Sequence, residues 1–409
     1  MRLVVQDNLW FSGPPGFANY ILNGQTMIPF EPLQGRTASS DLEAKSQELQ
    51  WLLRYTGRSG SGLVLAQEWI KPGDPIDRNL DPWLSVFEKH GRRAKWCIFY
   101  DPVLAVRQRG LGDHIPLDFG RAQLLDLWRS DLDHLAGHFA HPKYWRIDGR
   151  PVLYVWAVHG GIKNAGRAFG EADRRGLYVL GDVLGGRREP ANMRGVTGFV
   201  SAVPGIVGAG SHRRVTDLLP ELEQEFLHWS RRGFDFFPAA SLQYDDTEFQ
   251  QALGRAGQAP VRLLAHNRDD VTRVLEALQR HATSGAILLG TANGWAEGTT
   301  LLPTTRGGLE FSAQRIGHYH FAHLEAVRET LFQGVAPYDG PRLEVLRRRR
   351  RKVTVALQDV DVRAKVRINP RTALLDDKLR SGFVRRLVVK PGARITARNL
   401  DGRRAALVV

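Results

Sequence analysis

Acids, amides and aromatics recur in this chain where short apolar runs end. Gln67-Glu68-Trp69 closes one such run, Tyr100-Asp101-Pro102 another, and Tyr154-Val155-Trp156 and Asp182 close two more. Further along stand Gln243-Tyr244-Asp245-Asp246 and Asn293-Gly294-Trp295-Ala296-Glu297-Gly298-Thr299. A pair of carboxylates can protonate a leaving oxygen and activate a nucleophile, and flat aromatic faces stack on sugar rings. Any one of these acids alone reads as a helix cap or a salt-bridged loop residue. Several delivered to one rim read as a site.

The elements that would deliver them alternate. β-rich runs at 2–6, 63–69, 96–101, 152–157, 177–182, 198–203, 234–241 and 286–291 are separated by helical segments, the pattern of βα units around a parallel sheet. Most of these runs are continuously apolar, as strands covered on both faces are. Asp118 is placed to cap a helix carrying Leu124, Leu125, Trp128, Leu132, Leu135 and Phe139. Asp217 precedes Leu219, Leu222, Phe226 and Trp229 with Gly233 as a stop, and Asp270 opens a helix with Val271, Val274, Leu275 and Leu278. A last helix is expected over 313–332. Eight strands with intervening helices predict a closed (β/α)8 TIM-like barrel over 1–335, and no glycine-rich phosphate loop follows the first strand to suggest a dinucleotide fold. In such a barrel the functional residues sit at the C-terminal strand ends.

Beyond the barrel the composition changes. Gly334 to Pro341 is rich in Gly and Pro, and Arg347-Arg348-Arg349-Arg350-Arg351-Lys352 follows. Residues 336–352 read as a basic linker and 353–409 as a small all-β domain, with alternating runs at 353–357, 362–368, 384–389, 394–397 and 405–409. The arginine run is a candidate contact for a polyanion and otherwise a solvated connector.

The whole chain of 409 residues carries a formal net charge of +14, with 43% hydrophobic and 24% charged residues. That balance fits a soluble globular protein whose field favours anionic partners: nucleic acid, anionic lipid or acidic polysaccharide. Zinc-finger spacing and RNA-binding aromatic signatures are missing. No apolar stretch reaches the roughly 20 residues of a membrane helix. The opening Met1-Arg2-Leu3-Val4-Val5-Gln6-Asp7 turns polar early for a signal peptide, and the single Cys97 cannot form an internal disulfide. A cytoplasmic location is the expectation. His134, His138 and His141 share one helical face, but no metalloprotease Glu accompanies them and they precede a strand rather than follow one, so no metal or cofactor is expected. His318, His320 and His323 read as packing residues of the last helix. Ser201, Ser211 and Ser241 lack a nucleophile-elbow setting.

Two stretches resemble a known family. Gly290-Thr291-Ala292-Asn293-Gly294-Trp295-Ala296-Glu297-Gly298-Thr299-Thr300-Leu301-Leu302-Pro303 is similar to the signature of glycoside hydrolase family 99 and of WbsX-like proteins of polysaccharide clusters. The stretch His141-Pro142-Lys143-Tyr144-Trp145-Arg146-Ile147-Asp148-Gly149-Arg150-Pro151-Val152-Leu153-Tyr154 is similar to that family's entry into its fourth strand. Weaker echoes are Phe237-Pro238 with Asp245-Asp246, and Tyr100-Asp101-Pro102. Together they cover the barrel and leave the β domain unexplained.

The resemblance implies an endo-acting, retaining α-mannosidase in which the substrate's own 2-hydroxyl is the nucleophile. It assigns Glu297 as general acid/base. The family's other glutamate, which assists the 2-hydroxyl, falls on Gly294, and a glycine cannot accept a proton. A second carboxylate is then needed from the rim: Asp101, which we take as the second catalytic residue, or Asp182, Glu68 or Asp245. The substrate-binding set is Glu68, Trp69, Tyr100, Tyr154, Trp156, Asp182, Tyr244, Asp245, Asn293 and Trp295. The partner is an oligosaccharide or polysaccharide. The alternatives are glycosyl transfer in polysaccharide assembly, or glycan binding without cleavage.

Overall fold

Leu63-Val64-Leu65-Ala66-Gln67-Glu68-Trp69 is buried at every position, and a strand without an exposed side needs cover on both faces of its sheet. A computed structural model of the chain shows that cover. It describes residues 1–7, 9, 21–22, 25–26, 32–34, 36–57, 60–90, 93–112, 116–156, 158–183, 192–198, 212–254, 262–265, 267–291, 293, 301–302, 321–361, 364–369, 371–372 and 384–409. Eight strands, β1 (Arg2–Asp7), β2 (Leu63–Trp69), β3 (Lys95–Tyr100), β4 (Arg150–Val155), β5 (Tyr178–Asp182), β6 (Gly195–Gly198), β7 (Asp235–Ala240) and β8 (Ala286–Leu289), pair in parallel in chain order. The pairing of β8 with β1, from Arg2–Ala286 to Val5–Leu289, closes the ring. The expected (β/α)8 barrel is present.

The helices wrap this ring and present their apolar faces to it. They include α1 (Leu42–Thr56), α2 (Pro75–His90), α3 (Pro102–Arg107), α4 (Ala122–Phe139), α5 (Ala165–Arg174), α6 (Leu219–Ser230), α7 (Arg268–His281) and α8 (Ala322–Leu331). On α4 the buried positions Leu124, Trp128, Leu132, Leu135 and Phe139 recur at helical spacing, as the sequence predicts.

Several local expectations are corrected. The sixth strand is Gly195–Gly198 rather than 198–203, and residues 199–203 lie outside the described residues. Glycine at 195 hides the strand in sequence but serves packing, since a Cβ there would meet Tyr178 Oη at 2.6 Å and Phe237 Cε2 at 2.9 Å. Asp118 does not cap α4; its Oδ1 accepts from Gly120 N at 2.8 Å and Asn164 Nδ2 at 2.5 Å, tying the third βα loop to the fourth. Asp217 lies in a 3-10 turn ahead of α6 and accepts from Arg214 N at 3.1 Å. Asn267, not Asp270, caps α7 by accepting Asp270 N at 2.9 Å, which leaves the buried Asp270 carboxylate to pair with Arg214 at 2.7 Å. Of the last helix, 322–331 is described and 303–320 is not.

The histidine-proline stretch before β4 is structural. Trp96 N donates to Lys143 O at 3.2 Å and Trp145 N to Trp96 O at 2.6 Å, so residues 143–145 occupy the ladder between β3 and β4 at their N-terminal ends. Tyr144 drives its ring into the same gap. Its hydroxyl accepts from Ile98 N at 2.9 Å and donates to Val152 O at 2.8 Å, satisfying one backbone group on each strand. A two-residue Asp148-Gly149 turn, both at positive φ, then reverses the chain into β4. His141 is part of this wedge: its Nδ1 accepts from Trp96 Nε1 at 3.2 Å and Lys143 N at 3.1 Å, which leaves Nε2 to donate to Glu88 at 3.0 Å.

The basic run is not a linker. Residues 342–349 form a strand, β9 (Arg342–Arg349), which turns at Arg350-Arg351 and pairs antiparallel with β10 (Lys352–Gln358). A second small sheet contains β11 (Lys365–Ile368), β12 (Arg371–Thr372), β14 (Arg394–Arg398) and β15 (Arg404–Val408), while β13 (Val384–Val389) joins β10. Val353, Val355, Leu357, Val366 and Ile395 form the core between them. The domain is keyed to the barrel by Asp361, which is fully buried. One oxygen, Oδ1, lies 2.8 Å from Arg54, 3.2 Å from Trp51 Nε1 and 3.3 Å from Gln47 Nε2, all on α1. Tyr338, in the segment expected to be a bare connector, lies under the Arg54 guanidinium at 4.0 Å.

Tyr144→Phe removes the wedge hydroxyl and leaves two buried backbone groups without partners, at about 2 kcal/mol or more. Urea unfolding of the variant should show a lowered midpoint at unchanged slope. A midpoint equal to that of the parent protein would refute the wedge account.

Candidate active site at the barrel mouth

Which side chains enter the barrel follows from register. Across the ring the pairs run Glu68–Phe99, Phe99–Tyr154, Tyr154–Leu180, Asp182–Thr197, Thr197–Phe237, Ala239–Leu288, Leu288–Val4 and Val4–Val64. Paired residues share a face, and so do residues two apart on one strand. The rings of Phe99 and Tyr154 lie 4.4 Å apart on this face. The opposite face carries Trp96, Trp69 and Tyr100, which meet α2 and α4. The first set is therefore the interior.

At its C-terminal end the interior holds Glu68, Tyr154, Asp182 and Thr197. Asp182, Tyr154 and Thr197 are fully buried, and Glu68 is 7% exposed. Burial and the neighbouring Asp182 carboxylate hold the Tyr154 hydroxyl well above its ordinary pKa, so it stays a neutral phenol. Two residues past Ala239, Ser241 continues the same face, and a Cβ on Gly290 would meet its Oγ at 2.8 Å. Glycine at 290 thus lets β8 run close beside the end of β7. Asn293, 1% exposed, follows. Leu301 N donates to Thr291 O at 3.0 Å, so the residues that bracket positions 294–300 are bonded to each other at the end of β8. Gly294, Trp295 and Glu297 themselves lie outside the described residues.

Other members of the expected set are placed elsewhere. Trp69 and Tyr100 are not substrate-facing. Trp69 Nε1 donates to Asp77 at 2.8 Å and its ring stacks on His134, while Tyr100 Oη donates to Asp131 at 2.7 Å. Both point into the helical layer because they sit one residue out of phase with Glu68 and Phe99. Trp156, one residue past β4 and half-buried, packs on the barrel core. Asp101 is the N-cap of α3, with Oδ1 accepting from Leu104 N at 2.9 Å and Pro102 at the first helical position. Burial raises its pKa to about 6 against the pull of the capping N–H groups. Its Oδ1 is engaged by the N-terminus of α3.

Tyr244 and Asp245 form a two-residue strand against Arg262–Leu264, which also pairs with His212–Arg214. This small sheet comes from the sixth and seventh βα loops. Asp245 Oδ1 accepts from the Thr247 N–H at 3.1 Å and hydroxyl at 2.6 Å, the geometry of a helix-opening turn. Sequence reasoning did not foresee Thr197 and Ser241, whose strand ends were misplaced or unremarkable. It also overlooked a buried charge cluster outside β1. There Lys45 lies 3.4 Å from Asp7 and 2.8 Å from Glu48, and Gln34 donates to Glu48 at 2.8 Å. Burial raises the Glu48 pKa despite its bond to Lys45. A lysine and glutamate three apart on an amphipathic helix give no sign that both are covered.

No protein-family profile matches the chain, and no curated protein matches it in sequence. Among solved structures, two of the family 99 endo-alpha-mannosidase from Bacteroides thetaiotaomicron are similar in fold. Their TM-scores are 0.55 and 0.56 at 18% and 16% identity, each over 82% of this chain and 99% of the other. A glycoside hydrolase-like protein matches with a TM-score of 0.55 at 13% identity, over 80% of this chain and 93% of its own. At these identities the likeness carries the fold, and the fold is the one that the β8 and His141–Tyr154 resemblances imply.

Asp101 offers a test of its assignment. Its folded pKa lies above that of an exposed aspartate, so ionisation opposes folding as pH rises from about 4 to 6. Asp101→Asn keeps the capping oxygen and should equal or exceed the parent protein in stability above pH 6. Asp101→Ala should cost about 1 kcal/mol. Thermal unfolding across this pH range reads both, and retained turnover in the Asn variant separates the cap from a catalytic role.

Proposed function

We propose that the protein hydrolyses an O-glycosidic bond in the mouth of its barrel, with α-mannosides as the first substrates to try. The observation that carries this is the buried polar lining at the C-terminal end of the interior, Glu68, Tyr154, Asp182 and Thr197, beside the pinned ends of the Glu297 segment. The fold shared with endo-alpha-mannosidase structures supports the choice of sugar.

In this reading Glu297 is the general acid/base. It protonates the departing oxygen and then takes a proton from the incoming water. Gly294 leaves the second position without a proton acceptor. Glu68 fills it: it faces inward at the C-terminal end of β2, and it retains exposure where Asp182 has none. Asp182, Tyr154 and Thr197 form the floor beneath the reacting sugar and hold polar groups on it. Asn293 and Trp156 flank the opening, and Trp295 stacks on a sugar ring.

The cytoplasm is the proposed location. The single thiol, Cys97, is buried and unpaired, which suits a reducing compartment, and no helix among the described residues is long and apolar enough to cross a membrane. The basic hairpin is a separate contact for an anionic partner. The absence of a carboxylate at Gly294 favours a second reading, a glycan-binding protein that does not cleave.

Turnover of aryl α-mannosides and mannan fragments decides between them. Glu297→Gln should lower the rate by about 10²–10⁴-fold on substrates with a poor leaving group, and much less on a dinitrophenyl glycoside that departs without a proton. Glu68→Gln should lower both alike. An unchanged rate in Glu297→Gln rejects the assignment. Saturable glycan binding in calorimetry, with no turnover of any glycoside by the parent protein, establishes the binding reading instead.

A further inference from the structure

The β9–β10 hairpin holds a concentration of charge that the barrel chemistry does not use. Arg347, Arg348, Arg349, Arg350, Arg351 and Lys352 are all exposed. Arg349 pairs with Lys352, and because Val353 pairs with Val389, Lys390 lies on the far side of Lys352. One row across the tip is therefore cationic on all three strands. Val353, Val355 and Leu357 fill the core of the domain, so Lys352 and Thr354 face away from it. Among the described residues none of these cations has a carboxylate within ion-pair distance. Like charges this close repel one another, and the hairpin bears that cost with no internal compensation.

The next row on the same outward face is Arg347, Thr354 and Val388. Val388 is 57% exposed, and Leu346, at the register shift between Val345 and Arg347, is 45% exposed. Cations at a turn with bare aliphatic side chains immediately behind them, and no aromatic ring among them, match one kind of anionic surface. Phosphate headgroups accept the guanidinium and ammonium donors, while Leu346 and Val388 enter the boundary of the acyl region. A single-stranded nucleic acid would be met by stacking rings, and among the described residues of this face there are none. An acidic polysaccharide would give the two aliphatics nothing to bury against.

We propose that this hairpin is a docking surface for an anionic lipid bilayer, which places the barrel at a membrane surface. The proposal is independent of whether the barrel cleaves or only binds glycan.

The experiment uses the full-length protein and sedimentation with vesicles of phosphatidylcholine alone or mixed with phosphatidylglycerol. The protein should pellet with the anionic vesicles in low salt, remain free with the neutral ones, and be released by high salt. Replacing Arg348→Gln, Arg349→Gln, Arg350→Gln and Arg351→Gln together should weaken binding roughly fivefold for each cation removed. Leu346→Ser with Val388→Ser should weaken vesicle binding while leaving heparin and single-stranded DNA binding unchanged. All six positions are exposed, so the variants should fold, which circular dichroism checks. The idea is overturned by failure to pellet with anionic vesicles in low salt, or by vesicle binding that the arginine replacements leave intact. Loss of no affinity in the Leu346 and Val388 variant would reduce the surface to general polyanion adhesion and would equally overturn it.

Discussion

A buried backbone must bond on both sides of every strand. In this protein that requirement is met by one contact above all, the return of β8 to β1, which turns a sheet with two open edges into a ring with none. From it follow the apolar strands, the helical jacket and the confinement of polar chemistry to the strand ends. Where a ladder is interrupted, something must replace it. Between β3 and β4 the replacement is the Tyr144 hydroxyl and the backbone of 143–145. The two sequence stretches that resemble family 99 thus do different jobs. One completes the cylinder at its closed end, and the other continues from β8, whose Thr291 O accepts from Leu301 N at the open end.

The ring also sets the phase of each strand, and phase decides function here at single-residue resolution. Glu68 enters the interior while Trp69 beside it enters the helical layer. Phe99 and Tyr100 divide in the same way. A strand covered on both faces is apolar throughout, so its sequence does not reveal which neighbour faces in. For this reason the rim was legible as a set of strand ends while its membership was not. The strands themselves were legible because length, β-branching and turn residues mark them without reference to direction. β6 was the exception, since Gly195 serves a crowded interior contact and so lacks the side chain that would have marked it.

Asp101 illustrates a different limit. An aspartate before a proline is a helix cap by local rules, and α3 begins there. Placed at a strand end it also looks like an acid poised for catalysis, and the bond to Leu104 N shows the first of these roles. The arginine run shows the reverse error. Its composition suggested a solvated connector, yet pairing with β10 builds a strand from it despite the repulsion of its like charges. Local chemistry was a sound guide where the side chain bonds its own neighbourhood. It failed where a partner distant in sequence supplies the decisive contact.

One helix links the two ends of these observations. α1 reaches Asp7 at the barrel mouth through Lys45, and it reaches Asp361 of the β domain through Arg54, Trp51 and Gln47. The side chains that hold the domain are nearly all buried, and none could keep its bonds if the domain left. Arg54 and Asp361 would each lose the other as its buried counter-ion. Barrel and appendage therefore share one buried polar seam, and a barrel cut free at residue 340 would open that seam along α1 to water.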